Sequence, residues 1–167
     1  MIKSKLIVYH GNDVIVETPQ IICPNRNLDF GRGFYTTTDE VQARQFSKKI
    51  ARLHNSTTPV ISRYEFDWGA AVEACKIQKF EDIPTEEWLD FVSAHRTGRY
   101  TGEDYDIIIG PVSMNEIYRP IIYLYRDGLI SREKAVKALK IRTTYIQIAF
   151  SSLVGLTFLH FVGWEQV

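Results

Sequence analysis

The sequence has little of what several large classes of protein depend on, beginning with an excess of charge of one sign. Its 20 lysines and arginines balance 20 aspartates and glutamates over 167 residues. Because affinity for a phosphate backbone comes from many basic contacts, this balance argues against nucleic-acid binding as the main activity, although a local basic patch stays open. Cysteine is also scarce, and Cys23 and Cys75 lack a metal-like spacing. We therefore expect free thiols and a reducing, cytoplasmic setting.

Motifs for common cofactors and metals are missing as well. There is no Walker loop, and Gly31-Arg32-Gly33 lacks the third glycine of a dinucleotide-binding motif. The four histidines have no ligand spacing, so we predict no metal site.

No stretch of the chain predicts a membrane segment or a signal peptide. The most apolar stretch, Ile146 to Val162, is interrupted by Gln147 and His160, and it is shorter than the ~20 residues that a membrane helix needs. Its two halves alternate like strands. The first five residues show no cleavage pattern of a secreted protein.

What is present predicts one globular α+β domain over residues 1–167. Apolar residues make up 45% of the chain and aromatic residues 13%, as in folded proteins. Apolar periodicity predicts strands at Lys5–His10, Val60–Trp68, Tyr105–Ile109, Thr143–Phe150 and Thr157–Val162, with Gly110-Pro111 ending the third. It predicts helices from Thr37 or Thr38 to Asn55, from Pro84-Thr85 onward, at Asn115–Asp127 and at Ser131–Lys140, and a loop-rich segment over residues 12–28. Without a regular βαβ rhythm, this order favours mainly antiparallel pairing.

The most informative segment is Asp29-Phe30-Gly31-Arg32-Gly33-Phe34-Tyr35-Thr36-Thr37. A packed core explains two alternating glycines poorly, since glycine adds no apolar surface and costs backbone entropy. Gly31 and Gly33 suit a site where the main chain approaches a flat ligand, and Tyr35 could stack on that ligand. The alternative is a β-turn leading into a strand whose aromatic residue belongs to the core.

Two further positions are candidates for ligand contact. His10 ends a predicted strand, where it could donate a hydrogen bond to a sugar hydroxyl, and the main chain of Gly11 could pair with a flat amide. Alternatively, His10 is an ordinary histidine at a turn. Gln147 shares a strand face with Tyr145 and Ala149, and a buried amide there needs a partner, either a ligand ribose or the backbone.

Weaker candidates lie at the two ends of the predicted strand Tyr105–Ile109. Asp104 and Asp106 alternate on a strand and could act as an acid pair, or they could mark a strand entering solvent. Asn115 and Tyr118 could line a cleft wall, or Asn115 could cap a helix.

Together these segments resemble the three-part signature of ADP-ribosyltransferases of the His-Tyr-Glu branch. More closely, the chain resembles a bacterial family of uncharacterised proteins in the ADP-ribosyltransferase-like clan. The matching motifs are Tyr9-His10-Gly11, Asp29 to Thr37 with Gln42-Ala43, Trp88–Phe91 with Arg96, Tyr105 to Val112, and Gln147 to Phe150. They extend from residue 6 to about residue 161.

The resemblance implies split antiparallel sheets with flanking helices around a cleft that holds NAD. By this resemblance His10 binds the adenosine ribose, Gly11 the nicotinamide amide, and Tyr35 stacks on nicotinamide, with Gly31 and Gly33 beside the nucleotide. Arg96 or Arg32 meets the pyrophosphate. The implied reaction transfers ADP-ribose from NAD to a macromolecular acceptor and releases nicotinamide, with His10, Tyr35 and Gln147 as catalytic residues. Such proteins are often toxins or defence factors, which suggests a small antitoxin-like partner.

One departure from that signature opens alternatives. Gln147 stands where the branch has a glutamate, and a neutral amide stabilises a developing positive charge less than a carboxylate. Glu165 or Asp106 could substitute. The second hypothesis is therefore that the protein is a catalytically inactive module of the same fold that binds a nucleotide or another protein. A third is an RNA-end or phosphate-processing enzyme, which predicts that Arg32, Arg96, Arg99 and Arg119 cluster in the cleft.

Overall fold

The computed structural model describes residues 4–22, 28–112, 118–140 and 144–167. Its seven strands are β1 (Lys5–Asn12), β2 (Phe34–Thr37), β3 (Val60–Asp67), β4 (Ile77–Lys79), β5 (Ile107–Val112), β6 (Tyr145–Phe150) and β7 (Leu159–Gln166). Its six helices are α1 (Glu40–Leu53), α2 (Trp68–Ala74), α3 (Glu86–Arg96), α4 (Tyr118–Arg126), α5 (Arg132–Lys140) and α6 (Leu153–Leu156).

The strands form one sheet in the order β4-β5-β6-β2-β1-β3-β7. All neighbouring pairs are antiparallel except β4 and β5, which run parallel. The predicted single α+β domain with mainly antiparallel pairing is therefore confirmed.

The centre of this sheet is its weakest junction. β1 pairs with β3 over eight residue pairs, whereas β1 and β2 pair at one position, Tyr9 opposite Thr37. The expected division into two sheets is thus present as a narrow junction between β2 and β1, not as a complete separation. A ligand site at this junction can draw on both halves of the sheet.

Each face of the sheet buries its own hydrophobic cluster. One cluster includes Ala149 and the side chains of α3, α4 and α5, with Trp88 fully buried. The other contains Ile148 and Phe150. Successive residues of a strand point to opposite faces, so the predicted alternation along β6 is confirmed and Gln147 lies on the face of Ala149.

Helix starts follow local hydrogen bonding that the sequence pattern only partly predicted. Asp39, not Thr37 or Thr38, caps α1, where its carboxylate accepts a hydrogen bond from the N–H of Gln42 at 3.2 Å. Thr37 is unsuited to that position because it belongs to β2, where its hydroxyl donates to the carbonyl of Ile146 at 2.8 Å. Thr85 caps α3, as predicted.

The predicted end of the central strand at Gly110-Pro111 is wrong. β5 continues through both residues to Val112. β4 ends at Lys79, opposite Ile109, so the proline lies beyond the strand that would have needed its N–H. Gly110 leaves room for two aromatic rings, since a Cβ atom there would lie 3.1 Å from the rings of Phe30 and Phe80, closer than an ordinary contact.

Several short elements lack a sequence signal strong enough to be predicted. These are β2, β4, α2 and α6, each seven residues long or shorter. The stretch from Ile146 to Val162 forms β6, α6 and part of β7. Among the described residues, no helix has the length and apolarity that crossing a membrane would require. Asn115, Thr143 and Cys23 lie outside the described residues, and Cys75 is a half-buried free thiol.

Candidate functional site

A cleft of about 560 Å³ opens at the narrow junction between β1 and β2. Its walls come from β1, β2, β6 and α1 and from the ends of α3 and α4. This volume lies within the range of roughly 300–1,000 Å³ that small-molecule sites occupy. The cleft is lined by His10, Tyr35 and Gln147 together, so the structure brings all three predicted catalytic residues to one place.

His10 occupies the gap that the diverging strands leave. Its Nδ1 lies 2.7 Å from the carbonyl oxygen of Tyr35, and its ring centroid lies 4.4 Å from that of Phe34. A carbonyl oxygen can only accept, so Nδ1 carries the proton and donates. Burial lowers the pKa of His10, against the opposing effect of this hydrogen bond, and favours the neutral ring. Nε2 of the neutral ring can then act only as a hydrogen-bond acceptor, which reverses the donor role expected for a sugar contact.

Tyr35 is fixed in place by the glycine-containing turn that precedes it. Its hydroxyl donates to the carbonyl of Gly31 and accepts the N–H of Phe30 at 3.1 Å. Its ring lies nearly parallel to that of Phe30, with an interplanar angle of 12°. Burial, and then the nearby Asp29 carboxylate, raises the pKa of Tyr35, so the phenol stays protonated and cannot serve as a base at neutral pH.

Gln147 lies on β6 between Thr37 of β2 and Gly110 of β5. It is half-buried, and its side-chain amide makes no hydrogen bond to any described residue. The structural alternative, an amide bonded to nearby backbone, therefore has no support among the described residues. Its donor and acceptor are available to a molecule in the cleft.

Each of the three predicted site glycines has a packing reason in the structure. Gly31 has a φ of 77°, and a Cβ there would lie 2.9 Å from the His95 ring. A Cβ on Gly33 would lie 2.8 Å from the carbonyl oxygen of Phe150, and one on Gly11 would overlap the carbonyl oxygen of Ala43 in α1. The expectation that packing explains Gly31 and Gly33 poorly is wrong, because a side chain approaches one and backbone the other closely. Gly11 and Gly33 line the cleft, and Gly31 does not.

Arg96 lines the cleft as part of a buried ion pair. Its guanidinium contacts the Asp29 carboxylate, and both side chains are about nine-tenths buried, with 11% and 8% exposed. Burial alone would lower the pKa of Arg96, but the Asp29 carboxylate outweighs it and the net shift is upward. Tyr118 donates a hydrogen bond to Asp29 at 3.3 Å, and its ring lies 5.8 Å from the guanidinium carbon. The positive charge expected to meet a pyrophosphate is therefore already neutralised by Asp29.

Sequence reasoning missed the wall of the cleft that α1 provides. Gln42, Ala43, Phe46 and Lys49 line the cleft from one side of the helix. Their spacing of one, three and three residues is the helical signal that could have identified this wall. Arg119, at the start of α4, lines the cleft and, like Lys49, is exposed. Neither cation forms an ion pair with any described residue.

The carboxylates proposed to substitute for a glutamate at Gln147 lie elsewhere. Glu165 pairs with Arg44 at 2.9 Å. Asp106 accepts hydrogen bonds from the backbone N–H of Lys76 at 2.8 Å and from the Ser152 hydroxyl at 2.5 Å. Neither lines the cleft, which contradicts both substitutions and leaves the pair of Asp104 and Asp106 without a place in this site.

The arginine cluster expected for a phosphate-processing enzyme is not formed in the described part of the chain. Arg96 and Arg119 line the cleft, but Arg32 does not, and Arg99 lines a separate, shallower pocket beside Asp90. Among the described residues, no group of three His, Cys, Asp or Glu side chains could hold a metal ion.

The chemistry available in the cleft is that of neutral hydrogen-bonding groups beside aromatic rings. The cleft is lined by the His10 imidazole, two carboxamides, four tyrosines and the two exposed cations Lys49 and Arg119. Burial and the charges of Asp29 and Asp39 raise the pKa of Tyr145 to about 12, so this phenol is also un-ionised. These side chains suit a flat, polar ligand whose negative charge lies on a part of the molecule other than its rings.

Comparison with known proteins gives a family and no described function. No curated protein and no solved structure matches the chain. Residues 6–161 match a family described as "Protein of unknown function (DUF3990)", and the chain belongs to that family.

Proposed function

We propose that this protein binds NAD in the cleft between β1 and β2 and that it has the ADP-ribosyltransferase-like architecture that its motifs resemble. The observation that carries this proposal is the meeting of His10, Tyr35 and Gln147 around one cleft of about 560 Å³. These residues are separated by 25 and 112 positions along the chain. The ADP-ribosyltransferase signature assigns all three to the nucleotide.

Each part of NAD has a chemically suitable contact in this cleft. The acceptor Nε2 of His10 takes a hydrogen bond from a ribose hydroxyl, and Tyr35 offers a ring for nicotinamide to stack on. The main chain of Gly11 and of Gly33 lies at the cleft wall, where no side chain intervenes. Lys49 and Arg119 replace Arg96 as the phosphate contacts, because Asp29 already compensates the Arg96 charge.

The reaction we propose is transfer of ADP-ribose to a macromolecular acceptor. The bond between the ribose carbon and the nicotinamide nitrogen breaks, and nicotinamide leaves with the bonding electrons. A nucleophilic group of the acceptor then attacks the positively charged ribose carbon and loses its proton. The Gln147 amide holds a ribose hydroxyl during this step, but it stabilises the developing charge less than a carboxylate would.

Labelled NAD incubated with the protein and cell lysate tests this reaction. The wild type should transfer label, and Tyr35→Ala and Gln147→Ala should each lower transfer at least about tenfold. Gln45→Ala, an exposed glutamine on α1, is the matched control and should transfer label normally. Absence of transfer by the wild type, or transfer that survives both site changes, would contradict the proposal.

A non-catalytic nucleotide-binding protein is the second candidate, and the absence of a free carboxylate in the cleft favours it. Asp29 is the one acidic side chain among the described cleft residues, and Arg96 neutralises it. Calorimetry with NAD beside a nicotinamide-release assay separates the two candidates. Binding without release of nicotinamide would assign the protein to this second class.

The two exposed cations give a prediction about phosphate recognition. Changing both Lys49 and Arg119 to glutamine should weaken NAD binding about tenfold and make it less sensitive to salt, because two exposed charges act through screened attraction. Lys48→Gln, a neighbouring exposed lysine outside the cleft, should leave the affinity unchanged. Equal affinities for the double variant and for the control would show that phosphate binds elsewhere.

His10 gives a prediction about pH. Its pKa lies below the ordinary value of 6.5, and a ribose hydroxyl needs the unprotonated Nε2. We therefore expect NAD affinity to be constant above pH 6.5 and to fall only as the pH drops below it. Native stability should decline over the same acidic range, because the unfolded chain takes up the proton more readily. A His10→Gln variant, titrated in parallel, should lose most of the acid dependence of binding; an unchanged profile would remove His10 from the site.

Three further parts of the proposal come from the resemblance and from the composition of the chain. The acceptor is a macromolecule of unspecified type, and nucleic acid is not the expected one. A small antitoxin-like protein is the expected partner. The expected setting is the reducing cytoplasm, in which Cys75 stays a free thiol.

A further inference from the structure

Gln42 carries a side-chain amide in the cleft that the fold itself does not use. Its Oε1 is inaccessible to solvent, and neither Oε1 nor Nε2 makes a hydrogen bond to any residue that the structure describes. The backbone of the same residue is fully engaged, since its N–H donates to the Asp39 cap of α1. The Gln42 residue is thus anchored in the first turn of α1, while its side-chain amide makes no hydrogen bond within the described structure.

Such a side chain needs a reason, because a buried polar atom without a partner is unfavourable. A glutamine on α1 can also lie in solvent, since Gln45, three positions further along the helix, is exposed. Gln42 instead stands beside Ala43 on the wall that faces the cleft, where Gln147 provides a second uncommitted amide. Two carboxamides and Tyr35 therefore line the same cleft. The Oε1 of Gln42 is covered in this structure, so the Gln42 side chain must turn about its terminal bonds before its acceptor and its donor both face a ligand.

We propose that Gln42 determines specificity in this cleft by hydrogen-bonding a planar ligand edge on which a donor and an acceptor lie side by side. A carboxamide matches such an edge with two parallel hydrogen bonds, as glutamine does with adenine in nucleic-acid recognition. This inference rests on the proposed function. In NAD the edge occurs twice, in the carboxamide of nicotinamide and in the amino edge of adenine.

Binding of NAD to matched variants tests the inference. Gln42→Met keeps the length and volume of the side chain and removes its amide, and Gln45→Met makes the same change at the exposed position. We expect Gln42→Met to bind NAD about tenfold more weakly and to unfold at the same temperature or higher, because a buried unpaired group has been removed. Gln45→Met should match the wild type in both measurements.

Two analogues identify which edge Gln42 contacts. Nicotinic acid adenine dinucleotide replaces the carboxamide by a carboxylate, and nicotinamide hypoxanthine dinucleotide replaces the adenine amino group by a carbonyl. The wild type should discriminate against one of them at least about tenfold, since a mismatched edge leaves a buried group unpaired. Gln42→Met should lose most of that discrimination.

Three outcomes would overturn the inference, and they are distinguishable. If the wild type and Gln42→Met bind NAD equally, or discriminate the analogues equally, Gln42 has no such role while the proposed function stands. If the wild type binds no NAD, the proposed function fails and this inference fails with it. Should Gln42→Met lower the unfolding temperature, Gln42→Glu, which keeps the shape and loses the donor, replaces it, and unchanged discrimination by that variant would refute the inference.

Discussion

A Gly11→Ala chain should unfold with a free energy at least about 3 kcal/mol lower than the wild type, at the upper end of the cost of overpacking. The added Cβ would overlap the carbonyl oxygen of Ala43 and lie 3.0 Å from the backbone nitrogen of Ser47. Both are main-chain atoms of α1, so no side chain can rotate away and the helix itself must move off the sheet. For a chain of this size the midpoint of thermal unfolding should fall by roughly 6–12 °C.

The control for this change is Gly69→Ala in α2. There the new Cβ would lie 3.3 Å from the Ser4 side chain, and alanine is the better helix former. We expect this control to be neutral or slightly stabilising in the same denaturation experiment. A Gly11→Ala protein as stable as the Gly69→Ala protein would show that α1 does not pack against β1 as the structure has it.

Arg96→Met should cost about 3–5 kcal/mol of stability, because it removes the countercharge of a buried carboxylate. Among the described residues, Asp29 would then keep the hydrogen bond from Tyr118 at 3.3 Å and no ion pair. Methionine fills much of the same space, so the loss measures the missing charge more than missing volume. Chemical denaturation at neutral pH provides the measurement.

Two further variants show whether the loss of stability in Arg96→Met comes from the loss of its ion pair with Asp29. Asp29→Asn combined with Arg96→Met leaves no buried charge and should recover at least half of the lost stability. Lys76→Met removes an exposed ion pair with Glu103, which has an N–O distance of 2.6 Å, and should leave the stability nearly unchanged. If Arg96→Met costs no more than Lys76→Met, the pairing of Asp29 with Arg96 contributes nothing to the fold.

The same ion pair links stability to the candidate site. Asp29 directly precedes Phe30 and Gly31, the two residues that hold the Tyr35 hydroxyl. Arg96, predicted as a ligand contact, thus anchors the turn that positions Tyr35. Arg96→Met should therefore weaken ligand binding together with stability, whereas Lys49 and Arg119 variants should affect binding alone.

The parts of the fold that could be predicted are those with a strong local pattern. β3 and the start of α3 show this, since alternation predicts β3 to within one residue of its observed bounds and Pro84-Thr85 predicts where α3 begins. β2 has four residues, and its place in the sheet depends on pairing with Ile148 and Ala149 more than one hundred positions away. No local signal predicts such a pairing, and for the same reason Thr37 was mistaken for a helix cap.

The residues of the candidate site likewise fall into those that the sequence could predict and those that it could not. His10, Tyr35 and Gln147 stand in motifs, so their residue types and the resemblance were enough to select them. The partner of Arg96 could not be predicted, because Asp29 and Arg96 are 67 positions apart and meet only through the packing of α3 against the glycine-containing turn. Gln42 was visible in a matching motif, but only the folded chain shows that its amide is left without a partner.

We propose that the cleft between β1 and β2 binds NAD through Tyr35 and its neighbours. Calorimetric titration of the wild-type protein and of Tyr35→Ala with NAD is the most direct test. We predict one NAD molecule bound per chain, with an affinity at least about tenfold weaker for the variant, because stacking and burial of a ring are lost together. A wild-type protein that gives no heat of binding, or a variant that binds equally well, would contradict the claim.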